Sequence, residues 1–389
     1  MAAQVVSAAA LTSYTFFFVD DFLFLEQART QSFGLSYLRE NLFEHFSPIS
    51  RVLDKLLVAV APGSFALAHG IQLALYAGVL IAFALVVRGI LANSWSAFAL
   101  TVIFGQSIFL MRLLNWWTAT ANILPSTICM LLALGCYLRW RETGSRKLLA
   151  ACLAAYALSL LDYETAILWP AYVAAISLLV LERRLGPRGW LATLWRERWA
   201  WTGFLILDAA AVVNYYANYY YPAARPSLSS VASYLEIALF ETFIPALVGI
   251  KYPVAPGRHP VVIAAAAIAV GVGVAVTLYL RPRAWRCLLA FVLVFAVTML
   301  PVALTRIHEY GVSVGHVIYY QQSLQFMFLI LAAFAISPRW SGRRTGSVFR
   351  TVPRLLESRA LSRRALAAGG TVAVAAYAAL LLQSLSAMA

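Results

Sequence analysis

The sequence predicts an all-α fold: a polytopic transmembrane helical bundle of about eleven membrane helices, with interfacial amphipathic helices in its outer loops. Three observations predict it. Hydrophobic residues make up 62% of the chain and charged residues 12%, with a mean hydropathy of +0.79; a soluble domain carries about twice that charged share. Apolar runs of about 18 to 24 residues recur along the chain, each long enough to cross a ~30 Å hydrocarbon core. The basic residues gather in alternate loops, as topology signals do.

Taken in order, the first apolar run is 2–18. It has no basic leader and no clear cleavage site, so it reads as a membrane helix rather than a removed signal. It ends at Asp20-Asp21 on the outer side. Residues 19–64 form a long outer loop. Within it, 33–44 and 49–60 mix apolar and charged faces and read as amphipathic helices at the interface. Membrane helices follow at 65–87, 95–111, 117–138, 148–162, 165–181 and 200–217. A second long outer loop, 218–260, holds another interfacial segment at 227–247. The helices 261–280, 287–304, 317–336 and 367–386 complete the set, with an arginine-rich linker at 337–366 that is solvated or faces anionic lipid.

One set of loops carries Arg88, Arg139, Arg141, Arg183, Arg188, Arg281 and the arginines of 337–366. The opposite set carries most of the acids, among them Asp20, Asp21, Glu40, Asp54, Asp162, Glu164, Glu241 and Glu309. Positive-inside topology then puts the N-terminus in the cytoplasm, the C-terminus outside and the acids on the outer face. The Ala- and Arg-rich composition suggests a GC-rich bacterium, and hence the plasma membrane.

The net charge of +14 does not point to nucleic acid, because no basic stripe alternates with stacking aromatics. Cys129, Cys136, Cys152 and Cys287 lie in apolar runs without a CxxC pair and read as small core residues. The chain lacks a Walker motif, a HExxH helix and a GxSxG elbow, which argues against nucleotide-driven chemistry. No internal repeat or inverted half-symmetry is evident, as common transporters would show.

Three constellations carry the candidate chemistry. Asp20 and Asp21 are adjacent carboxylates wrapped in aromatics (Phe16-Phe17-Phe18 and Phe22). Mutual repulsion should raise one pKa, which suits a general base. Placed at a helix C-terminus they would oppose the helix dipole, so a merely solvated terminus explains them poorly. Asp162 and Glu164 occupy a tight outer turn. Asp162 is placed to cap the following helix, whereas Glu164 is less easily explained away. Late in the chain come Arg306, His308, His316, Tyr319 and Tyr320. Arg and His at the outer face suit a lipid phosphate, and the tyrosines suit an interface belt. His45, in the first outer loop, reads first as a hydrogen-bonded structural group. Asp208, inside an apolar run, either serves function or bonds a neighbouring helix. Lys251 and Arg258 read as solvated loop charges, and Asn115-Trp116-Trp117 as an interface belt with a sugar-stacking role.

The order of these features resembles the GT-C superfamily of polytopic glycosyltransferases, which use polyprenyl-phosphate-linked sugars. The matching pieces are Asp20-Asp21 after the first helix, His45-Phe46-Ser47-Pro48-Ile49 in the long outer loop, Asn115-Trp116-Trp117, and Asp162-Tyr163-Glu164-Thr165-Ala166 through Pro170. The last stretch is similar to the Lys-Glu-Thr-Ala-x-x-x-x-Pro segment of protein O-mannosyltransferase-like members, with Tyr163 where they carry lysine. The resemblance covers roughly residues 1–220, a catalytic membrane module; 221–389 would be a variable one. It implies sugar transfer on the outer face, with inversion, from a lipid-phosphate sugar to a glycan, lipid or protein acceptor. Asp20 or Asp21 would be the base. Arg306 and His308 would stabilise the departing phosphate, and Glu164, Asp162, His45, Tyr319 and Tyr320 would bind substrate. A divalent cation at Asp20 and Asp21 is open, since some relatives use one and others do not.

Other readings make different demands. A lipid-linked-sugar flippase needs polar residues through the membrane depth. A polysaccharide polymerase or ligase relies on outer-loop arginines, and the outer loops here are richer in acids. A structural subunit predicts silent Asp20→Asn and Asp21→Asn variants.

Overall fold

The computed structural model describes residues 1–13, 15–40, 45–91, 93–182, 185–218, 225–250 and 260–337. These are all-helical, with no strand among them. Eight helices are long and apolar enough to cross a membrane: Phe65–Ile90, Ser94–Leu113, Trp117–Thr143, Glu164–Leu181, Leu228–Leu247, Ile263–Leu280, Trp285–Tyr310 and Ile318–Ile336. The chain is therefore an integral membrane protein by length and composition of its helices. The expected helix at 367–386, the linker 337–366 apart from Ser337, and Lys251 and Arg258 lie outside the described residues.

Three expected spans fall short. The first helix, α1 (Ala2–Leu11), has ten residues. Thr12 ends it, leaving helical geometry at φ −113°, ψ 9°, with its hydroxyl on the carbonyl of Ala8 (2.7 Å) and that of Thr15 on the carbonyl of Thr12 (2.8 Å). Arg146–Leu160 has fifteen residues. Arg198–Asn218 is long enough, at twenty-one residues, but Asp208, Asn214, Tyr215 and Tyr216 make it less apolar than the eight. Conversely, the segment expected to lie at the interface, 227–247, is a 20-residue helix apolar enough to span.

The bundle is built around α6 (Trp117–Thr143), whose most apolar window is 67% buried. It packs along α4 (Phe65–Ile90) and α7 (Arg146–Leu160). Gly144, at φ +68°, supplies the left-handed residue that ends α6 and reverses the chain. The helix Pro260–Leu280 is the least covered of the eight, with 6% of its window buried.

The outer-loop segment 49–60 is a helix as expected, α3 (Pro48–Val60); of 33–44 only the short helix Leu35–Leu38 is described as helical, and 41–44 lie outside the described residues. Two cations pin α3 to α2 (Val19–Thr30). Arg51 is buried, with its guanidinium over Phe24 (5.0 Å) and Tyr37 (5.3 Å) and Nη1 donating to Gln27 Oε1 at 2.5 Å. Lys55 Nζ donates to the carbonyls of Ala28 and Gln31 at the end of α2, where the dipole favours a cation. The inner face of α3 is thus polar at Ser50, Arg51 and Asp54, all buried and helically spaced.

Candidate functional site

Asp20 and Asp21 do not end a first helix. They lie in the first turn of α2, a second helix that begins after the connector 12–18. The dipole argument therefore reverses, because acids at a helix N-terminus are stabilised. Asp21 starts this helix: its Oδ2 accepts from the backbone N–H of Phe18 at 2.8 Å, the return arm of a capping box. Its Oδ1 accepts from Thr118 N (2.8 Å) and Thr118 Oγ1 (2.6 Å) at the start of α6. Asp21 is fully buried. It joins the N-termini of two helices.

Asp20 is half-buried and stands apart from those bonds. Burial raises its pKa above the ordinary carboxylate value, the neighbouring Asp21 charge raises it further, and His45 pulls it back. His45 Nδ1 lies 2.9 Å from Glu164 Oε1, across 119 positions of sequence. Arg306 bonds Glu309 (3.2 Å) and is within electrostatic range of Glu164, Tyr319 and Tyr320. Arg306 and His308 are not in a loop, as the expected end at 304 would have it. The helix α13 (Trp285–Tyr310) continues until Gly311, at φ +67°, stops it. Tyr319 and Tyr320 sit on the 3₁₀ turn Ile318–Gln321 that precedes α14 (Gln322–Ile336). Aromatic rings connect these elements: Phe18 to Trp116 (6.0 Å), Trp116 to Tyr319 (5.4 Å), Tyr319 to Tyr320 (4.5 Å).

Six sequence-predicted residues, Asp20, His45, Glu164, Arg306, Tyr319 and Tyr320, thus converge at one end of the bundle. His308 does not join them; it is exposed and makes no described hydrogen bond to the cluster. Asp162 lies behind it. It does not cap the helix that follows it: its Oδ1 accepts from Ser50 N at 3.1 Å, capping α3 from across the fold. Asp54, counted before only among the outer acids, is also buried behind the cluster. It accepts from Trp117 Nε1 at 2.7 Å, and burial pushes its pKa up to about 7. Its position on the polar inner face of α3 was the available signal. Asp208 bonds Tyr156 of the neighbouring helix, its helix-bridging reading.

Two observations bear on what the cluster could hold. Glu164 Oε2 and Trp116 Nε1 are buried without a protein partner. An apolar cavity of about 310 Å³, walled by Leu160, Leu161, Ile167, Leu207 and Ala211, has Glu164 in its lining. A cation shared by Asp20 and Asp21 fits poorly, because both Asp21 oxygens already accept hydrogen bonds. Among the described residues no three His, Cys, Asp or Glu side chains gather as a metal site. Comparison with protein-family models, curated proteins and solved structures finds no match to this chain.

Proposed function

We propose that the chain is a glycosyltransferase of the GT-C kind, moving a sugar from a polyprenyl-phosphate donor to an acceptor hydroxyl on the outer face of a bacterial plasma membrane, with the N-terminus cytoplasmic. The carrying observation is the meeting of Asp20, His45, Glu164 and Arg306 from four separate elements beside an aromatic row and an apolar cavity.

Asp20 is the base. It is the one of the two aspartates with exposed surface, and its raised pKa improves it as a proton acceptor. It takes the acceptor O–H proton as that oxygen bonds to the anomeric carbon. The bond from that carbon to the phosphate oxygen breaks on the opposite face, giving inversion. Arg306 stabilises the charge gathering on the leaving lipid phosphate. Glu164 and His45 orient sugar hydroxyls, Trp116 and Tyr319 offer stacking faces, and the cavity takes the first isoprene units. Asp21 and Asp162 position the helices and do not touch substrate.

The test is sugar transfer in nanodiscs from radiolabelled polyprenyl-phosphate sugars, with and without added divalent cations. Transfer that Asp20→Asn abolishes supports the proposal. Lipid-linked sugars that cross the bilayer without being consumed, equally in wild type and Asp20→Asn, would make the protein a flippase and overturn it.

A further inference from the structure

At the opposite end of α6, about 40 Å away for 27 residues at 1.5 Å each, lies a larger cavity of about 860 Å³. The transfer reaction proposed above does not use it. Leu85, Ile90, Leu138 and Phe334 give it an apolar wall, and Arg139, Arg141 and Arg196 are also in its lining.

Its floor is built around one buried acid. Glu197 is 1% exposed, and its Oε2 accepts from Tyr137 Oη (2.5 Å) and Ser177 Oγ (2.9 Å). Ser177 reaches it from the π-helical segment Ala175–Leu181, a local widening of the helix of the kind found at functional sites. Arg141 Nε sits 2.6 Å from Glu197 Oε1, so the guanidinium is fixed in the wall. A planar guanidinium held on one edge keeps N–H groups for a second anion, with little freedom left to lose. Arg196 is 59% exposed and only loosely paired, 3.6 Å from Glu197 and 3.7 Å from Glu182. Glu182 itself accepts from Thr193 Oγ1 at 2.5 Å. Arg139 is exposed, with no acidic partner among the described residues. Glu142 also borders the cavity and tempers its charge.

We propose that this cavity binds a phosphate-bearing amphiphile, its phosphate on Arg139, Arg141 and Arg196 and its chain along the apolar wall. The charged rim alone would suit free phosphate, and the apolar wall alone any lipid; only a lipid phosphate uses both.

Native mass spectrometry of the full chain in detergent tests this, with dioleoyl phosphatidylglycerol, dioleoylglycerol and inorganic phosphate as probes. The variants are Arg139→Gln/Arg196→Gln, which leaves the Arg141–Glu197 pair intact, and Arg88→Gln, a cation near that end outside the cavity. Matched thermal midpoints establish that each is folded. Expected are retained phosphatidylglycerol in wild type and Arg88→Gln, at least tenfold weaker retention in the double variant, and no retention of dioleoylglycerol. Equal retention by the double variant overturns the proposal. So does equal loss in Arg88→Gln, which would mean diffuse surface charge. Equal retention of dioleoylglycerol would mean an apolar groove only, and displacement by low-millimolar inorganic phosphate would mean a soluble-anion site; either also overturns it.

Discussion

Both ends of the bundle take acids out of water, and the way each acid is partnered separates scaffold from candidate chemistry. Glu197, at one end, is 1% exposed; Tyr137 and Ser177 donate to its Oε2, and its Oε1 is held by ion pairs alone, with Arg141 at 2.6 Å and Arg196 at 3.6 Å. Glu164, at the other, keeps a quarter of its side-chain surface, bonds His45 with one oxygen and leaves Oε2 without a protein partner. The same division recurs within a single dipeptide. Asp21 spends its oxygens on Phe18 and Thr118, while Asp20, next to it, stays half-exposed with a raised pKa. Acids shut away from the surface hold helices together, whether or not every oxygen has a donor. Acids that keep both surface and an oxygen to spare can act on a ligand.

The sharpest way to break this comparison is to neutralise each acid in turn. Asp20→Asn should lower transfer by roughly 10²–10⁴, the usual worth of a general base, without moving the unfolding midpoint in detergent. Equal activity in this variant would remove the distinction between the two aspartates. Glu197→Gln should show the converse. It sets an amide N–H group against the donors Tyr137 and Ser177 and takes the counter-ion from Arg141, so about 3 kcal/mol of stability should be lost, and the fraction that folds should transfer at the wild-type rate. Denaturant unfolding beside the transfer assay reads both quantities. Asp21→Asn comes next. Its new amide N–H group must face a backbone donor, Phe18 or Thr118, so about 1.5–3 kcal/mol should be lost. Any fall in rate should then follow the loss of folded protein.

The bundle was legible because lipid makes its own pattern. The expected helices 65–87 and 261–280 reappear as Phe65–Ile90 and Pro260–Leu280, since long apolar runs have no other stable form in a bilayer. The residue types at the site were legible too, because charge is rare in such a chain. Their division of labour was not. Asp20 and Asp21 look alike in sequence, and what separates them is Thr118, 97 positions away. Asp162 looks like a cap for its own helix and instead accepts from Ser50 N, 112 positions earlier, in the first turn of the helix Pro48–Val60. The first boundary was misplaced because hydropathy runs unbroken from residue 2 to 18 and carries no mark of the break after Leu11, where Thr12 leaves helical geometry.

Asp54 gives the subtlest test, since it belongs to the buried group yet has one oxygen, Oδ2, without a partner. Asp54 has one donor, Trp117 Nε1, for its two buried oxygens, so burial favours its protonated form. Burial pushes its pKa above the ordinary carboxylate value, up to about 7. The sign follows from linkage. Below about pH 4 the group is neutral folded and unfolded, and its contribution to stability is fully present. Between about pH 4 and pH 7 only the unfolded chain ionises, so stability falls as pH rises, by about 1.4 kcal/mol per unit for one proton. Above that window the loss is complete and constant. Asp54→Asn keeps an oxygen for Trp117 Nε1 and cannot ionise, so its unfolding free energy should lack this slope while matching wild type at the acid end. A wild-type slope that survives in Asp54→Asn would place the titrating group elsewhere and return Asp54 to the class of ionised struts.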